Sequence, residues 1–205
     1  MNSGRLTIRF NLFGCILSLY LLGMTVPAGP AEAHENDPVT LKGILALWAK
    51  REPSRVDFRK KRYTPALHEP ILSAGTLEYT PPDRLLKRVN TPHPASFLIQ
   101  NHQILILDEE SHENVQIGLD DAPEVGQLAL SLIALLSGRD SELEPLFDIE
   151  TRGATSGWTL IMTAKEAKAE GIKTMEVSGQ GDQLSKMKIE QADGSIILLE
   201  FMHPS

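Results

Sequence analysis

Cysteine is almost absent from this chain. Its 205 residues include one cysteine, Cys15, which lies in an apolar stretch near the N-terminus. The rest of the chain has no thiol, which excludes disulfide bonds, zinc sites with thiolate ligands and a cysteine nucleophile. The fold must therefore be stabilised by its hydrophobic core alone, and about 170 residues are enough for such a core.

An excess of positive charge is also lacking. The formal net charge is −7, and 23% of the residues are charged. Proteins that bind nucleic acid need a basic surface, so the acidic balance argues against that class. The charged fraction is close to the globular average, which argues against wholesale disorder. The length suits one domain.

The common catalytic motifs are missing as well. The sequence contains neither the G-x-S-x-G elbow of hydrolases nor the HExxH pattern of zinc proteases. Asp108, Ser111 and His112 have the residue types of a hydrolase triad, but adjacent residues on a strand point to opposite faces. The alternative is a metal site built from loop side chains: His93, His102, His112, Glu109, Glu110 and Glu113. No known ligand spacing supports it, so we expect no catalytic residue, no metal and no cofactor.

The first 33 residues have the three-part pattern of a secretory signal peptide. Arg5 and Arg9 form a basic start, and an apolar run follows at 10–26. Ala31-Glu32-Ala33 then supplies small residues at the −3 and −1 positions of a cleavage site. We predict cleavage directly after this site and a mature protein outside the cytoplasm. The alternative is an uncleaved anchor, because the apolar run is just long enough to cross a bilayer.

Apolar spacing predicts two longer helices. Within 38–51, an apolar stripe is formed at helical spacing, and Pro38 suits the first turn. Residues 124–137 are apolar around most of the helix circumference, so this helix is expected to be buried on several sides. Gly138 is a plausible C-terminal cap. A shorter helix is predicted at 140–146.

Short runs with turn residues between them predict strands at 54–64, 71–80, 84–90, 95–100, 103–109, 113–119, 147–153, 157–163, 172–179, 184–191 and 195–202. Asn101-His102 and Asp193-Gly194 are typical hairpin turns. The continuous apolar run from Ile104 to Leu107 predicts a strand covered on both faces. The basic run from Arg59 to Arg62 indicates a solvated edge strand, or contact with an anionic membrane or partner. We expect one α+β domain over 34–205, a large antiparallel sheet with helices packed on it.

Four stretches of the sequence resemble the LolA family, the periplasmic carriers of outer-membrane lipoproteins. Residues 41–58 resemble the opening helix and first strand of the family, and 75–85 the "G-x-L-x-x-x-x-P" strand and turn. Residues 158–165 are similar to the late "L-x-P-K" strand. Residues 172–201 resemble the closing hairpins, in which a "D-G" turn precedes a short strand that ends in Phe. The resemblance spans nearly all of 38–203.

This resemblance implies a half-open antiparallel β-barrel with helices lying over its concave apolar face. It also implies a periplasmic carrier, not an enzyme, that binds acyl chains of lipoproteins or other lipids and moves them between the inner and outer membranes. An inner-membrane donor complex, an outer-membrane acceptor and a monomeric carrier are expected. In the family an Arg after the "G-x-L" strand helps to latch the lid, and an aromatic residue follows the turn. Pro81 stands in the place of that Arg, and Lys87 or Arg88 in the place of the aromatic residue.

Apolar side chains on the predicted helices and strands are the candidates for the groove: Leu45, Trp48, Phe58, Leu77, Phe97, Ile99, Leu128, Leu132, Leu136, Trp158, Leu160, Leu199 and Phe201. Each of them is also a candidate for ordinary core, because a one-residue change of register reverses the direction in which a strand residue points. Two other functions stay open at this point. One is a periplasmic lipid-sensing regulator that needs a protein partner, and the other is a periplasmic hydrolase of lipids or esters.

Overall fold

The computed structural model describes residues 38–50, 53–111, 113–166 and 171–203. The predicted signal peptide at 1–33 lies outside these ranges, as does His112. Within the described ranges, no helix has both the length and the apolarity that crossing a bilayer requires.

Eleven β-strands lie in the described residues and form one antiparallel sheet. The strands are β1 Ser54–Tyr63, β2 Ile71–Thr80, β3 Arg84–Thr91, β4 Ala95–Gln100, β5 Gln103–Asp108, β6 Asn114–Gly118, β7 Phe147–Ala154, β8 Gly157–Ala164, β9 Ile172–Gln180, β10 Gln183–Gln191 and β11 Ile196–Met202. Their order is β6-β5-β4-β3-β2-β1-β11-β10-β9-β8-β7, and no pairing joins β6 to β7 in the described residues, so the sheet is open. The predicted antiparallel sheet is confirmed, and the bounds of β2 and β4 match the prediction.

Strand β1 lies in the middle of the sheet, which corrects one expectation. It pairs with β2 on one side and with the C-terminal strand β11 on the other. The prediction that Arg59–Arg62 forms a solvated edge is therefore wrong. Because successive side chains alternate between the two faces, Arg59 and Lys61 are exposed, whereas Lys60 and Arg62 are partly buried.

One face of the sheet, here called the apolar face, carries the large hydrophobic side chains. Cross-strand pairs place Phe58 opposite Phe201, Leu85 opposite Ile99, and Leu160 opposite Val177 on this face. The opposite face is largely solvated. On β5, Ile104 is 2% exposed but Leu105 is 39% exposed, so the prediction of a strand covered on both faces is wrong. Strand β5 is next to the sheet edge, and apolar layers pack against it from one side.

Helix α1 spans Leu41–Trp48 and starts later than predicted. Thr40 caps it, because the Thr40 Oγ1 accepts a hydrogen bond from the Gly43 backbone N–H at 3.1 Å. Pro38 is not in the first helical turn but forms a bridge with Ala154 beside β7. The chain before the helix is thus tied to the sheet edge, and the helix begins only after this bridge.

The other helical segments connect β6 to β7. They are a 3₁₀ turn at Leu119–Asp121, helix α2 at Pro123–Leu136 and the short helix α3 at Asp140–Leu143. Helix α2 in this connection contacts both β3 and β9, which lie on opposite sides of β1 in the sheet. Gly138 follows α2 with a φ of +74°, as predicted for a cap, and a Cβ atom there would lie 2.7 Å from the Ala49 Cβ. Glycine therefore allows both the left-handed turn and the close approach of α1.

The two tryptophans of the chain are buried in the hydrophobic core. The Trp48 and Trp158 rings meet edge to face, with centroids 5.3 Å apart. Their indole N–H groups donate to two neighbouring carbonyl oxygens in the β9–β10 turn, Trp48 to Asp182 at 3.0 Å and Trp158 to Gly181 at 2.9 Å. Both indole N–H groups have hydrogen-bond partners, so the aromatic rings can be buried almost completely.

Candidate functional site

A cavity of about 360 Å³ lies between the apolar face of the sheet and α2. Its size is within the range of about 300 to 1,000 Å³ that small-ligand pockets occupy. The lining is mostly aliphatic and aromatic, with one amide and three cationic side chains: Phe58, Lys60, Arg62, Leu77, Leu85, Lys87, Phe97, Ile99, Ile104, Val125, Leu128, Ala129, Leu132, Met187, Gln191, Ile197, Leu199 and Phe201. Such a lining suits a ligand that is apolar over most of its length.

The structure brings eight of the predicted groove residues to this cavity: Phe58, Leu77, Phe97, Ile99, Leu128, Leu132, Leu199 and Phe201. The other five do not line it. Leu136 borders a separate space of about 20 Å³ near Tyr79. Leu45, Trp48, Trp158 and Leu160 are buried in the hydrophobic core.

Helix α2 differs between its two ends. Toward the C-terminus, Leu135 is fully buried, and the following Gly138 is packed against α1. Toward the N-terminus, Val125 is 49% exposed at the cavity. One polar contact ties this end to the sheet, since the Gln127 Oε1 accepts a hydrogen bond from the Ile172 backbone N–H at 3.2 Å. The C-terminal end of α2 is therefore the better anchored of the two.

Three cationic side chains, Lys60 and Arg62 from β1 and Lys87 from β3, line the same cavity. Sequence reasoning treated the basic run on β1 as a surface feature and missed them. The signal was present in the alternation of β1: Phe58, Lys60 and Arg62 are two residues apart, so they share one face of the strand. We call these three side chains the cationic cluster.

Lys87 lies between two aromatic rings. Its Nζ is 5.4 Å from the centroid of the Phe58 ring and 5.4 Å from that of Phe97. These ring faces attract a cation. Burial, with a smaller effect from the nearby Lys60 charge, nevertheless lowers the pKa of Lys87 to about 8. Burial also lowers the pKa of Lys60, and the Arg62 charge adds to that effect. The cavity is thus an unfavourable place for these positive charges.

Basic residues on the opposite face have a different environment. Arg55 and Arg88 both form salt bridges with Glu78. In the part of the chain that the structure describes, no salt bridge is formed by Lys60, Arg62 or Lys87. Asp193, in the β10–β11 turn, acts on Arg62 through space, but it is held by Ser195.

The residues considered for catalysis lie in the β5–β6 loop region. The Asp108 Oδ1 accepts hydrogen bonds from the backbone N–H groups of Glu110 at 2.9 Å and Ser111 at 3.0 Å, and these bonds lower the pKa of Asp108. The Ser111 Oγ accepts from the Glu113 N–H at 3.3 Å. These contacts shape an exposed turn. Among the described residues, no three His, Cys, Asp or Glu side chains are grouped as metal ligands would be.

A second cavity, of about 240 Å³, is more polar. Leu130 and Ser131 of α2 line it, together with Asp83, His102 and Arg139. Arg139 forms a salt bridge with Glu142 at 3.2 Å. Helix α2 therefore presents Leu128 and Leu130 to two different cavities.

A match to a known family model identifies the family of this chain. Residues 29–197 match the family model described as outer membrane lipoprotein carrier protein LolA-like. The chain belongs to this LolA-like family. The resemblance found in the sequence is thereby confirmed. A comparison with curated proteins gives no match.

Two solved structures are similar to this LolA-like chain. One is a LolA superfamily protein from Nitrosomonas europaea, with a TM-score of 0.42 and 8% sequence identity, covering 80% of this chain and 92% of that one. The other is a DUF1329 family protein from Desulfovibrio piger, with a TM-score of 0.43 and 8% identity, covering 80% of this chain and 89% of that one.

Proposed function

We propose that this LolA-like protein is a periplasmic carrier that holds acyl chains of lipoproteins or other lipids in the cavity beneath α2. In this proposal the sheet is a half-open barrel, and the helices cover its concave apolar face. The observation that carries the proposal is the mostly apolar cavity of about 360 Å³ shared by sheet and helix. Family membership supports it.

A mostly apolar and loosely packed cavity suits the energetics of carriage. Each CH₂ group removed from water contributes roughly 0.8 kcal/mol, so a chain of 15 such groups contributes roughly 12 kcal/mol. Free diffusion of the chain through water is therefore negligible. The membrane that supplies the chain offers nearly the same gain, so uptake must be close to neutral. Strong shape complementarity is not needed, because the carrier only has to match the bilayer.

The N-terminal half of α2 is the proposed lid. The cavity of about 360 Å³ is at the lower end of the range that small-ligand pockets occupy, so a ligand with several acyl chains requires the lid to move. The hydrogen bond from Ile172 to Gln127 holds the lid closed, and the packing around Gly138 anchors the other end of α2.

The proposed carrier function also requires export of the protein and partners in both membranes. Residues 1–33 act as a cleaved signal peptide, and residues 34–205 form the monomeric carrier domain. The carrier receives its ligand from an inner-membrane donor and delivers it to an outer-membrane acceptor. N-terminal sequencing of the exported protein tests the cleavage after Ala33, and a full-length protein retained in the inner membrane would contradict it.

The lid is tested with two matched substitutions on α2. Leu128→Lys places an ammonium group at the acyl cavity, whereas Leu130→Lys places it at the polar cavity. An ammonium group in the acyl cavity has a desolvation cost and is repelled by Lys60, Arg62 and Lys87, so the Leu128 variant should hold the lid open. Isothermal titration calorimetry with dodecan-1-ol, which carries no charge, should show weakened binding in Leu128→Lys and nearly normal binding in Leu130→Lys.

Circular dichroism melts accompany the titration and show whether the sheet stays folded in both variants. Equal affinity of Leu128→Lys and wild type in a folded protein would contradict the lid. Equal loss of binding in both folded variants would show that the effect is not specific to the acyl cavity. No detectable binding of any amphiphile by the wild type would reject the carrier function itself.

A further inference from the structure

Within the described part of the chain, no side chain that lines the cavity carries a negative charge that could pair with the cationic cluster. Its members come from two strands, but their side chains reach one cavity. The Arg62 Nε is buried and has no hydrogen-bond partner. The Oγ of Ser73, which is the cross-strand neighbour of Lys60, is likewise buried without a partner. Two donor groups therefore lie without a hydrogen-bond partner at or beside the cavity. Asp193, which is outside the lining, acts through space on Arg62.

Internal packing does not account for this arrangement. The faces of Phe58 and Phe97 stabilise the Lys87 ammonium in part, but they supply no negative charge. All other lining residues are uncharged, including those from β2, β4 and α2. Like charges close together in a cavity raise each other's free energy, and buried charges normally have a partner. One negative group inside the cavity would supply such a partner to all three side chains.

We infer that the ligand is an amphiphile with an acidic head group, and that Lys60, Arg62 and Lys87 hold that head group while its tail lies among the apolar side chains of the cavity. The inference rests on the proposed function and narrows its substrate class. A planar guanidinium binds a carboxylate or phosphate through two parallel hydrogen bonds, and two ammonium groups add point charges. The acylated end of a triacylated cysteine carries no negative charge, so fatty acids or acidic lipids fit this site better.

The position of the cluster also explains how a head group and a tail share one cavity. Lys60 and Arg62 continue β1 beyond Phe58, whereas Leu77 and Leu85 lie farther along the strands toward Tyr79. Along β1 the cavity side chains thus change from Phe58 to the cations Lys60 and Arg62, whose neighbours on β11 are the apolar Leu199 and Ile197. Lys87 pairs with Leu77, and its Nζ lies 5.4 Å from the centroid of the Phe58 ring.

Calorimetric titrations with dodecanoic acid, dodecan-1-ol and dodecyltrimethylammonium test the inference. These probes share one chain and differ in head-group charge. We expect wild type to bind the acid at least roughly tenfold more tightly than the alcohol, because charge-assisted hydrogen bonds contribute more than neutral ones. The cationic probe should bind most weakly. Sodium acetate, which has the head group without the chain, should not displace the acid at equal concentration.

Two variants locate the head-group site. The triple variant Lys60→Met/Arg62→Met/Lys87→Met should bring the ratio of the affinities for acid and alcohol close to one, with the affinity for the alcohol retained. Lys61→Met is the matched control, because Lys61 lies on the same strand but is exposed on the opposite face. It should keep the wild-type ratio. Titrations at pH 8.5 in buffers of different ionisation enthalpy add an independent readout, since an acid bound beside Lys87 should cause proton uptake that Lys87→Met lacks.

The outcomes separate this inference from the carrier function. Equal affinity for the acid and the alcohol in wild type would overturn the acidic head group and leave the carrier intact. A preference for the acid that persists in the triple variant would overturn the assignment to Lys60, Arg62 and Lys87. Displacement of the acid by acetate would overturn the amphiphile in favour of a simple anion site. Binding of none of the three chain probes would reject the carrier function on which the inference rests.

Discussion

Strands β7 to β9 form one region of the continuous sheet, and strands β1 to β5 with β10 and β11 form the other. The side chains of the two regions are packed to different degrees. In the first region, Trp158, Leu160 and Met175 are at most 2% exposed. Here α1 joins the core through Trp48, whose indole contacts Trp158. In the second region, the side chains of Phe97 and Leu77 border an open cavity that also contains cations.

The difference shows that the space above the sheet is determined by the layer that packs on it. Both regions have the alternating pattern of a sheet with one apolar face. The tightly packed region receives large rings from α1 and β8, and Gly179 provides room for the Trp158 ring, since a Cβ there would be 2.5 Å from it. The cavity region receives smaller side chains from α2. We therefore expect stability to depend mainly on the first region and binding on the second.

The largest effect should come from Trp158→Ala in the packed region. The substitution removes the contact with Trp48 and the hydrogen bond to the Gly181 carbonyl. Truncation of a buried tryptophan typically lowers the free energy of unfolding by about 3–5 kcal/mol. Urea denaturation followed by circular dichroism measures the loss. Phe97→Ala, at the cavity, should lower it by clearly less, and an equal loss would contradict the division into two regions.

A matched pair of leucines sharpens the same comparison. Leu160→Ala in the fully packed region should lower the free energy of unfolding by about 2–5 kcal/mol, because it leaves a new void. Leu199→Ala should have a smaller effect, below about 2 kcal/mol, since its side chain already borders a cavity. Dodecan-1-ol affinity should change in the reverse order. If Leu160→Ala weakened alcohol binding more than Leu199→Ala, without unfolding, binding would not belong to the cavity region.

One substitution should stabilise the protein. Lys87→Met removes a positive charge that burial disfavours, so the free energy of unfolding without ligand should rise by up to about 3 kcal/mol at pH 7. The pKa of Lys87 is about 8 in the folded protein and about 10.4 when unfolded, so the unfolded state binds more protons between these values. The free energy of unfolding of wild type should therefore rise relative to that of Lys87→Met from pH 8 to 10.4. Above this range, the stability advantage of the variant should disappear.

Thermal melts of both proteins at pH 7, 9 and 10.5 test whether the stability difference changes with pH in this direction. Lys60 and Arg62 face the same cavity and remain in both proteins, so their contribution is largely common. A variant that is less stable than wild type at pH 7 would show that Lys87 has a stabilising partner. The expected cost of Lys87 to the empty protein is consistent with a residue kept for binding, because functional sites are often destabilising.

The elements that depend on local sequence were predictable. The strand bounds of β2 and β4, the position of α2 and the turn at Asn101-His102 follow from periodicity and turn residues, and both of these turn residues have positive φ. The central place of β1 was not predictable, because it depends on β11, about 140 residues away in sequence. The start of α1 was missed for the same reason, since Pro38 pairs with the distant Ala154.

The candidate site was predictable in its apolar half alone. Alternation on the strands and the apolar circumference of α2 point to Phe58, Leu128 and Leu199, which line the cavity. The same alternation places Lys60 beside Phe58, but its meaning depends on whether β1 is an edge or a central strand. On an edge, an inward-facing lysine protects against aggregation. In the middle of the sheet, it lies in the cavity.

The position of the tryptophans has a consequence for spectroscopy. Both indoles of the chain are buried in the packed region, against the β9–β10 turn, and neither lines the cavity. Their emission should follow the loss of tertiary structure during unfolding and should hardly change when a colourless amphiphile binds. A dansyl-labelled amphiphile would instead accept excitation energy from them. The intensity of that transfer would then report how deeply the label enters the protein.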